Sequence, residues 1–227
     1  MSQHRPIKGV ILDVDGTLVD SNEAHTRAWV EAMEWAGYHV DFKRVAPLIG
    51  MGGDKVLPEV LNISKDSPEG QRISQRRKEI FQQKYLATVK AFPGTAELLH
   101  HMHDQGLKLI IATSAEPDEL NKMLQLIEPH IEELFENATT SKDASQSKPD
   151  PDVVQAAIER IKLSPQELIM IGDTAYDIEA ASRASVAAIA FRSGGWSDED
   201  LKGAVAIYDG PADLLKHYDE SPLARGL

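Results

Sequence analysis

The sequence predicts an α/β fold: a mostly parallel sheet with helices on both faces, and an all-helical module inserted after the first strand. Three observations carry that reading. Short apolar runs rich in β-branched residues alternate with amphipathic stretches of helical length. The stretch between Val19 and Phe92 breaks this alternation and reads as helix throughout. The main apolar runs end abruptly in polar residues, as strands do where an open sheet delivers chain to a crevice. At 227 residues the chain exceeds a typical domain of about 150 residues, which suits one large domain with an insertion.

In chain order, Gly9 to Val14 is the first strand candidate. Asn22 to Ala36 then places Trp29, Ala32, Met33 and Ala36 on one helical stripe, with Asp20 as N-cap and Gly37 as stop. Gly50 to Lys55 reads as a glycine-rich loop. Ser67-Pro68 opens a second long helix carrying Ile73, Ile80, Phe81, Lys84 and Tyr85. After Phe92-Pro93-Gly94 the alternation resumes. Strands are expected at Leu107 to Ala112, Leu168 to Ile171 and Val186 to Phe191, with weaker ones at Leu134 to Ala138 and Ala204 to Tyr208. Helices are expected at Thr95 to Gln105, Asp118 to Ile127, Pro151 to Ile161, Tyr176 to Arg183 and Pro211 to His217. The division is residues 1–19 and 91–227 for the α/β core and 20–90 for the helical insertion.

Composition narrows the chemistry. Hydrophobic residues at 42% and charged residues at 26% are ordinary globular usage and exclude a disordered tail, a collagen or a coiled coil. With no cysteine there is no thiolate nucleophile, cysteine zinc site or iron-sulfur cluster. Lys+Arg 24 against Asp+Glu 36 leaves a net charge of −12, which repels a polyphosphate and argues against nucleic acid as partner. No run has the character of a signal peptide or approaches a membrane span, so a soluble cytoplasmic protein is expected, as monomer or homodimer.

The run ends are the informative positions. They read Asp13-Val14-Asp15-Gly16-Thr17, Thr113-Ser114 and Gly172-Asp173-Thr174-Ala175-Tyr176-Asp177. Carboxylates clustered beyond buried strands repel one another unless a cation joins them, and an all-oxygen set suits Mg²⁺. Lys148, in Ser147-Lys148-Pro149, precedes a helix and can reach the same crevice. One cation plus one lysine suits a phosphate. With Asp13, Asp173 and Asp177 ionised and Asp15 protonated, Mg²⁺ and Lys148 leave the site near neutral. Thr17, Thr113 and Ser114 would supply donors to the phosphoryl group.

These motifs, on these elements, resemble the haloacid dehalogenase superfamily, in the phosphatase branch with an inserted helical cap. The resemblance covers nearly the whole chain and implies a Rossmann-like core. It implies Asp13 as the nucleophile that becomes an aspartyl phosphate and Asp15 as acid and base. Mg²⁺ would be held by Asp13, the Asp15 backbone carbonyl and Asp173, with Asp177 acting through water. Ser114, Thr113 and Lys148 would hold the phosphoryl group. The expected reaction is hydrolysis of a small phosphorylated metabolite, with cap residues His25 and Lys55 selecting it.

The nearest rival is a phosphosugar mutase of the β-phosphoglucomutase kind, which shares a hydroxyl near Ser21, a histidine at His25 and the pattern from Lys148 to Asp152. Gly172-Asp173 and Gly53 depart from that pattern, Gly53 standing where the mutase has its cap arginine. Asp15 argues against carbon-halogen chemistry. A phospho-acceptor switch would place its aspartate after the third strand. His100, His101 and His103 read as surface histidines, and Gly194-Gly195-Trp196 as a turn.

Overall fold

The computed structural model describes residues 5–227. Strand β1 (Gly9–Leu12) is buried along its whole length. It is shorter than the apolar run because Asp13, whose amide still donates to the Ile171 carbonyl at 3.0 Å, is its last link to the sheet, and Val14 begins a turn. The Leu18 and Val19 amides return to the Val14 carbonyl at 2.9 and 3.1 Å. Strand β2 (Val19–Asp20) pairs antiparallel with β3 (Lys90–Ala91), so the chain departs and returns side by side.

Between β2 and β3 lie α1 (Asn22–Trp35), α2 (Phe42–Val45), α3 (Gly53–Leu61) and α4 (Pro68–Ile80). Helix α1 buries Trp29, Ala32 and Met33 on the expected stripe. Its N-cap position belongs to Ser21, not Asp20, because Asp20 is held in β2. Ser67 caps α4 as expected, accepting from the Gly70 amide at 3.0 Å. A π turn, Phe81–Tyr85, extends α4 and buries Phe81. The glycine-rich loop is shorter than expected: the Lys55 and Val56 amides return to the Gly52 carbonyl, so Gly53 to Lys55 already belong to α3.

The remainder runs α5 (Thr95–Asp104), β4 (Lys108–Ala112), α6 (Pro117–Leu124), β5 (Phe135–Thr139), α7 (Asp152–Ile161), β6 (Leu168–Gly172), α8 (Ala175–Arg183), β7 (Ala187–Phe191), β8 (Ala206–Tyr208) and α9 (Pro211–Lys216). The strands form one six-stranded sheet, ordered β5-β4-β1-β6-β7-β8, with every pairing parallel. Both weaker strand candidates are therefore real edge strands. Alternate residues face opposite layers. Leu12, Ile111 and Ile171 join an apolar cluster that continues to Trp29, Leu57 and Phe81, while Ile11, Ile110 and Met170 pack with Val154 and Ala181. Each such buried side chain contributes about 1.5–3 kcal/mol.

Register decides where the chemistry can sit. Leu12 pairs with Ile111 on one side and Ile171 on the other. Asp13, Thr113 and Asp173 therefore leave the sheet within one residue of the same level, at the carboxyl edge of its centre. His100 and His103 are exposed as expected, but His101 is half-buried, edge-on to Tyr218 at 4.4 Å. No helix among the described residues is long and apolar enough to cross a membrane.

Candidate active site

Asp13, Asp173 and Asp177 converge beyond β1 and β6, each offering a carboxylate oxygen within 4.8 Å of the others, and all are buried. Lys148 enters from the loop before α7. Its Nζ donates to Asp13 Oδ1 and to Asp177 Oδ1, both at 2.6 Å, and it too is buried. Asp177 is fixed by its place on α8, where it forms a reciprocal cap with Thr174. The Thr174 amide and hydroxyl donate to Asp177 Oδ2 at 3.1 and 2.6 Å.

Asp173 accepts from the Thr17 hydroxyl at 2.9 Å and from Asn22 Nδ2 at 3.0 Å. Two glycines allow this crowding. A Cβ at Gly16, whose φ is +75°, or at Gly194 would stand 2.1 Å from Asp173 Oδ2. Ser193 adds a hydrogen bond from its hydroxyl to the Gly16 carbonyl at 2.6 Å, tying the strand-end loops together.

Burial pushes the Asp13 carboxyl up to about 7, against the attraction of Lys148 and with added repulsion from Asp177 and Asp15. Burial also raises Asp173 well above the usual carboxylate range, reinforced by Asp177 and Asp13. For Lys148 burial works against the charged amine, but Asp13 and Asp177 outweigh it and hold the ammonium above its ordinary value. Three buried carboxylates thus face one buried amine. This crowded, all-oxygen donor set fits a hard divalent cation such as Mg²⁺.

Asp15 sits apart from the cluster, at the mouth. It accepts from the Ser21 hydroxyl at 2.5 Å and lies 2.8 Å from His25 Nε2. His25 is buried, its ring stacked on Phe81 at 4.0 Å and 12°. Burial favours the neutral Asp15 carboxyl, but His25 and the Ser21 hydrogen bond outweigh it and hold the group below its ordinary range. These directions hold with no cation among the carboxylates, whereas the expected pattern, Asp15 protonated and the other three ionised, includes Mg²⁺. His25 favours the Asp15 anion, while crowding favours a proton on Asp13 or Asp173.

A cleft of roughly 50 Å³ opens between the sheet edge and the helical segment. Asp13, Asp15, Thr113, Ser114 and Lys148 line one side, and His25, Trp29, Gly50 to Gly53 and Arg77 the other. Two expected residues stand elsewhere. Thr17 is fully buried, with its hydroxyl on Asp173 and, at 3.3 Å, on Asp13, so it supports carboxylates instead of facing the cleft. Lys55 is directed by α3 onto the core, where Nζ donates to Asp150 at 2.7 Å and to Gln146 at 2.9 Å.

Sequence reasoning missed Asn22, Ser193 and the pair Arg77–Glu119. Arg77 Nη1 donates to both oxygens of buried Glu119, at 3.0 and 2.9 Å, with its guanidinium 5.2 Å from the centre of the Trp29 ring. In sequence Arg77 belongs to a run of polar and basic residues, Ser74 to Lys78, that looks like a solvated helix face. The signal that was available is the Trp29 stripe opposite it.

A family model described as haloacid dehalogenase-like hydrolase matches residues 10–191, and the chain belongs to that family. It is an enzyme of the family's phosphatase branch. The chain is 28% identical over 228 residues to an N-acetylmuramic acid 6-phosphate phosphatase of Pseudomonas aeruginosa, covering 95% of this chain and 96% of that one. A crystal structure of a hydrolase from Pseudomonas syringae superposes with a TM-score of 0.86 at 32% identity, covering 94% of this chain and 98% of that chain. A β-phosphoglucomutase from Clostridium difficile shares the fold, with a TM-score of 0.81 at 21% identity over 94% and 96% of the two chains.

Proposed function

We propose that this chain hydrolyses small phosphorylated metabolites, with Mg²⁺, through a phosphate ester of Asp13. The observation that carries the reading is the placement of Asp13. It is buried at the end of the central strand, 2.6 Å from a buried lysine amine, with Thr113 and Ser114 beside it on the cleft wall.

Asp13 and Asp173, with the Asp15 backbone carbonyl, would hold the metal, and Asp177 would support it while anchoring Lys148. When bound, Mg²⁺ supplies positive charge that offsets the carboxylates and draws in a phosphate dianion. An Asp13 oxygen attacks phosphorus as the bond to the departing alcohol breaks. The phosphate dianion, bound beside Asp15, raises its carboxyl and favours the protonated form; Asp15 then gives that proton to the departing oxygen and takes one back from the water that cleaves the acyl phosphate, so each half-reaction balances. Lys148 and Ser114 hold the phosphoryl oxygens in both halves, and His25 and Ser21 keep Asp15 aimed.

In this reading residues 20–90 act as a cap over a core of 1–19 and 91–227, excluding water and selecting the alcohol. His25 serves as the inner cap contact and Lys55 as a latch to Asp150. The mutase alternative has no support at Gly53, where a Cβ would stand 3.2 Å from the Trp29 ring. A side chain there needs the Trp29 ring to shift by a few tenths of an ångström. Purified protein with Mg²⁺, assayed against phosphorylated sugars, glycolate, nucleotides and amino acids, is expected to release phosphate from a subset. Absence of release from all of them, p-nitrophenyl phosphate included, contradicts the proposal.

A further inference from the structure

The cleft continues beyond Ser114 in two directions, and the shape and charge of those extensions have no role in the phosphoryl chemistry. One recess, about 170 Å³, is lined by Lys65, Asp54, Asp66, Ser141, Gln146 and Ser147, and its two carboxylates make it a poor place for a further anion. A smaller one, about 40 Å³, is lined by Trp29, Lys65, Arg77, Lys78, Glu116 and Glu119. Ser114, Ser141 and Lys65 border both. The alcohol part of a substrate whose phosphorus sits at Asp13 has room to extend past Ser114 into them.

The charges in the smaller recess nearly cancel. Arg77 pairs with Glu119, and Lys78 with Glu116 at 2.7 Å. Lys65 makes no ion pair or hydrogen bond among the described residues, so the wall keeps one unmatched positive charge. Arg77 is also only partly used. Glu119 takes both its contacts from Nη1, and neither Nε nor Nη2 donates a hydrogen bond to a described residue. Nε and Nη2 form one edge of the planar guanidinium, the edge that meets a carboxylate with two parallel hydrogen bonds. Trp29 and Glu119 fix that edge in place before any ligand arrives.

We propose that Arg77 and Lys65 bind a carboxylate carried by the alcohol part of the substrate. The preferred substrates are then phosphate esters with a second, singly charged anionic group. One unmatched charge suits a monoanion better than a second phosphate dianion, and the bidentate edge suits the planar carboxylate. The inference rests on the phosphatase reading and deepens it.

The test compares ω-carboxyalkyl phosphates of increasing chain length with n-alkyl phosphates of matched length, using Mg²⁺-loaded enzyme. For at least one length, kcat/KM of the carboxylated ester should exceed that of its neutral counterpart by about tenfold or more. That ratio should fall towards one in Lys65→Met and in Arg77→Met, mainly through KM, and recover in Lys65→Arg. Lys65→Met keeps the test decisive if Arg77→Met fails to fold. A wild-type ratio near one at every length overturns the inference. So does an unchanged ratio in both variants, which makes these residues a latch only. Failure of wild-type enzyme to cleave any ester overturns the phosphatase reading, a result distinct from cleavage without preference.

Discussion

The two walls of the cleft are built on opposite electrostatic plans. On the sheet edge, Asp13, Asp173 and Asp177 crowd a single buried amine and leave negative charge in excess. On the helical side, Arg77 and Lys78 are matched by glutamates of the opposite wall, and Lys65 leaves a small positive surplus. The first wall is made of short side chains on strand ends and a helix cap, pressed together by Gly16 and Gly194. The second is made of long side chains reaching across an interface. Chemistry common to many substrates belongs on the rigid wall, and discrimination among them on the wall of longer side chains.

If the rigid wall needs a cation, removing it has the largest effect. Excess chelator should abolish turnover, and Mg²⁺ should restore it. Ca²⁺ should restore it poorly, because longer bonds and more ligands misplace the Asp13 carboxylate. Full activity in chelator breaks the comparison at its first term.

Next comes Asp15→Asn, expected to lower kcat for an alkyl phosphate by about 10²–10⁴-fold. An aryl phosphate, whose leaving oxygen needs little help, should lose less in the first step. Equal losses for both esters would remove the acid role.

Gly194→Ala sharpens the claim of rigidity. Its Cβ would stand 2.1 Å from Asp173 Oδ2. Because the carboxylate must move, the apparent affinity for Mg²⁺ should fall by about 10–100-fold, while circular dichroism stays native. An unchanged Mg²⁺ titration would show that the wall yields.

The smallest effect belongs to the helical side. Ser67→Ala removes the α4 cap, whose hydroxyl accepts from the Gly70 amide. It should cost about 1 kcal/mol of stability, read by denaturant melting, with little change in kcat. A large loss of activity would mean that α4 is as tightly tuned as the strand ends.

The rigid wall is also the legible one. Asp13, Thr113 and Asp173 follow apolar runs, so recognising the strands already places them together, and register brings them level. Lys148 and Asp177 are readable because each flanks or begins a helix pointing at the same edge. The helical wall is harder because a helix face has no identity until its neighbour is known. Arg77 and Lys78 are adjacent in sequence, yet they reach different glutamates of a distant segment. Lys55 beside a glycine loop suggests a cleft residue, but an early start to α3 turns it to Asp150. Thr17 belongs to the right motif and serves the carboxylates, a distinction that needs side-chain direction and not spacing. Asn22 carries no motif at all and is visible only as a contact to Asp173.

The central claim is that Asp13 becomes covalently phosphorylated during turnover. The direct measurement is rapid acid quench of Asp15→Asn with a phosphorus-labelled aryl phosphate, followed by peptide mapping. The account predicts one hydroxylamine-sensitive acyl phosphate, located at Asp13 and missing from Asp13→Asn. Turnover without labelled protein at any quench time, or label on another residue, would contradict it.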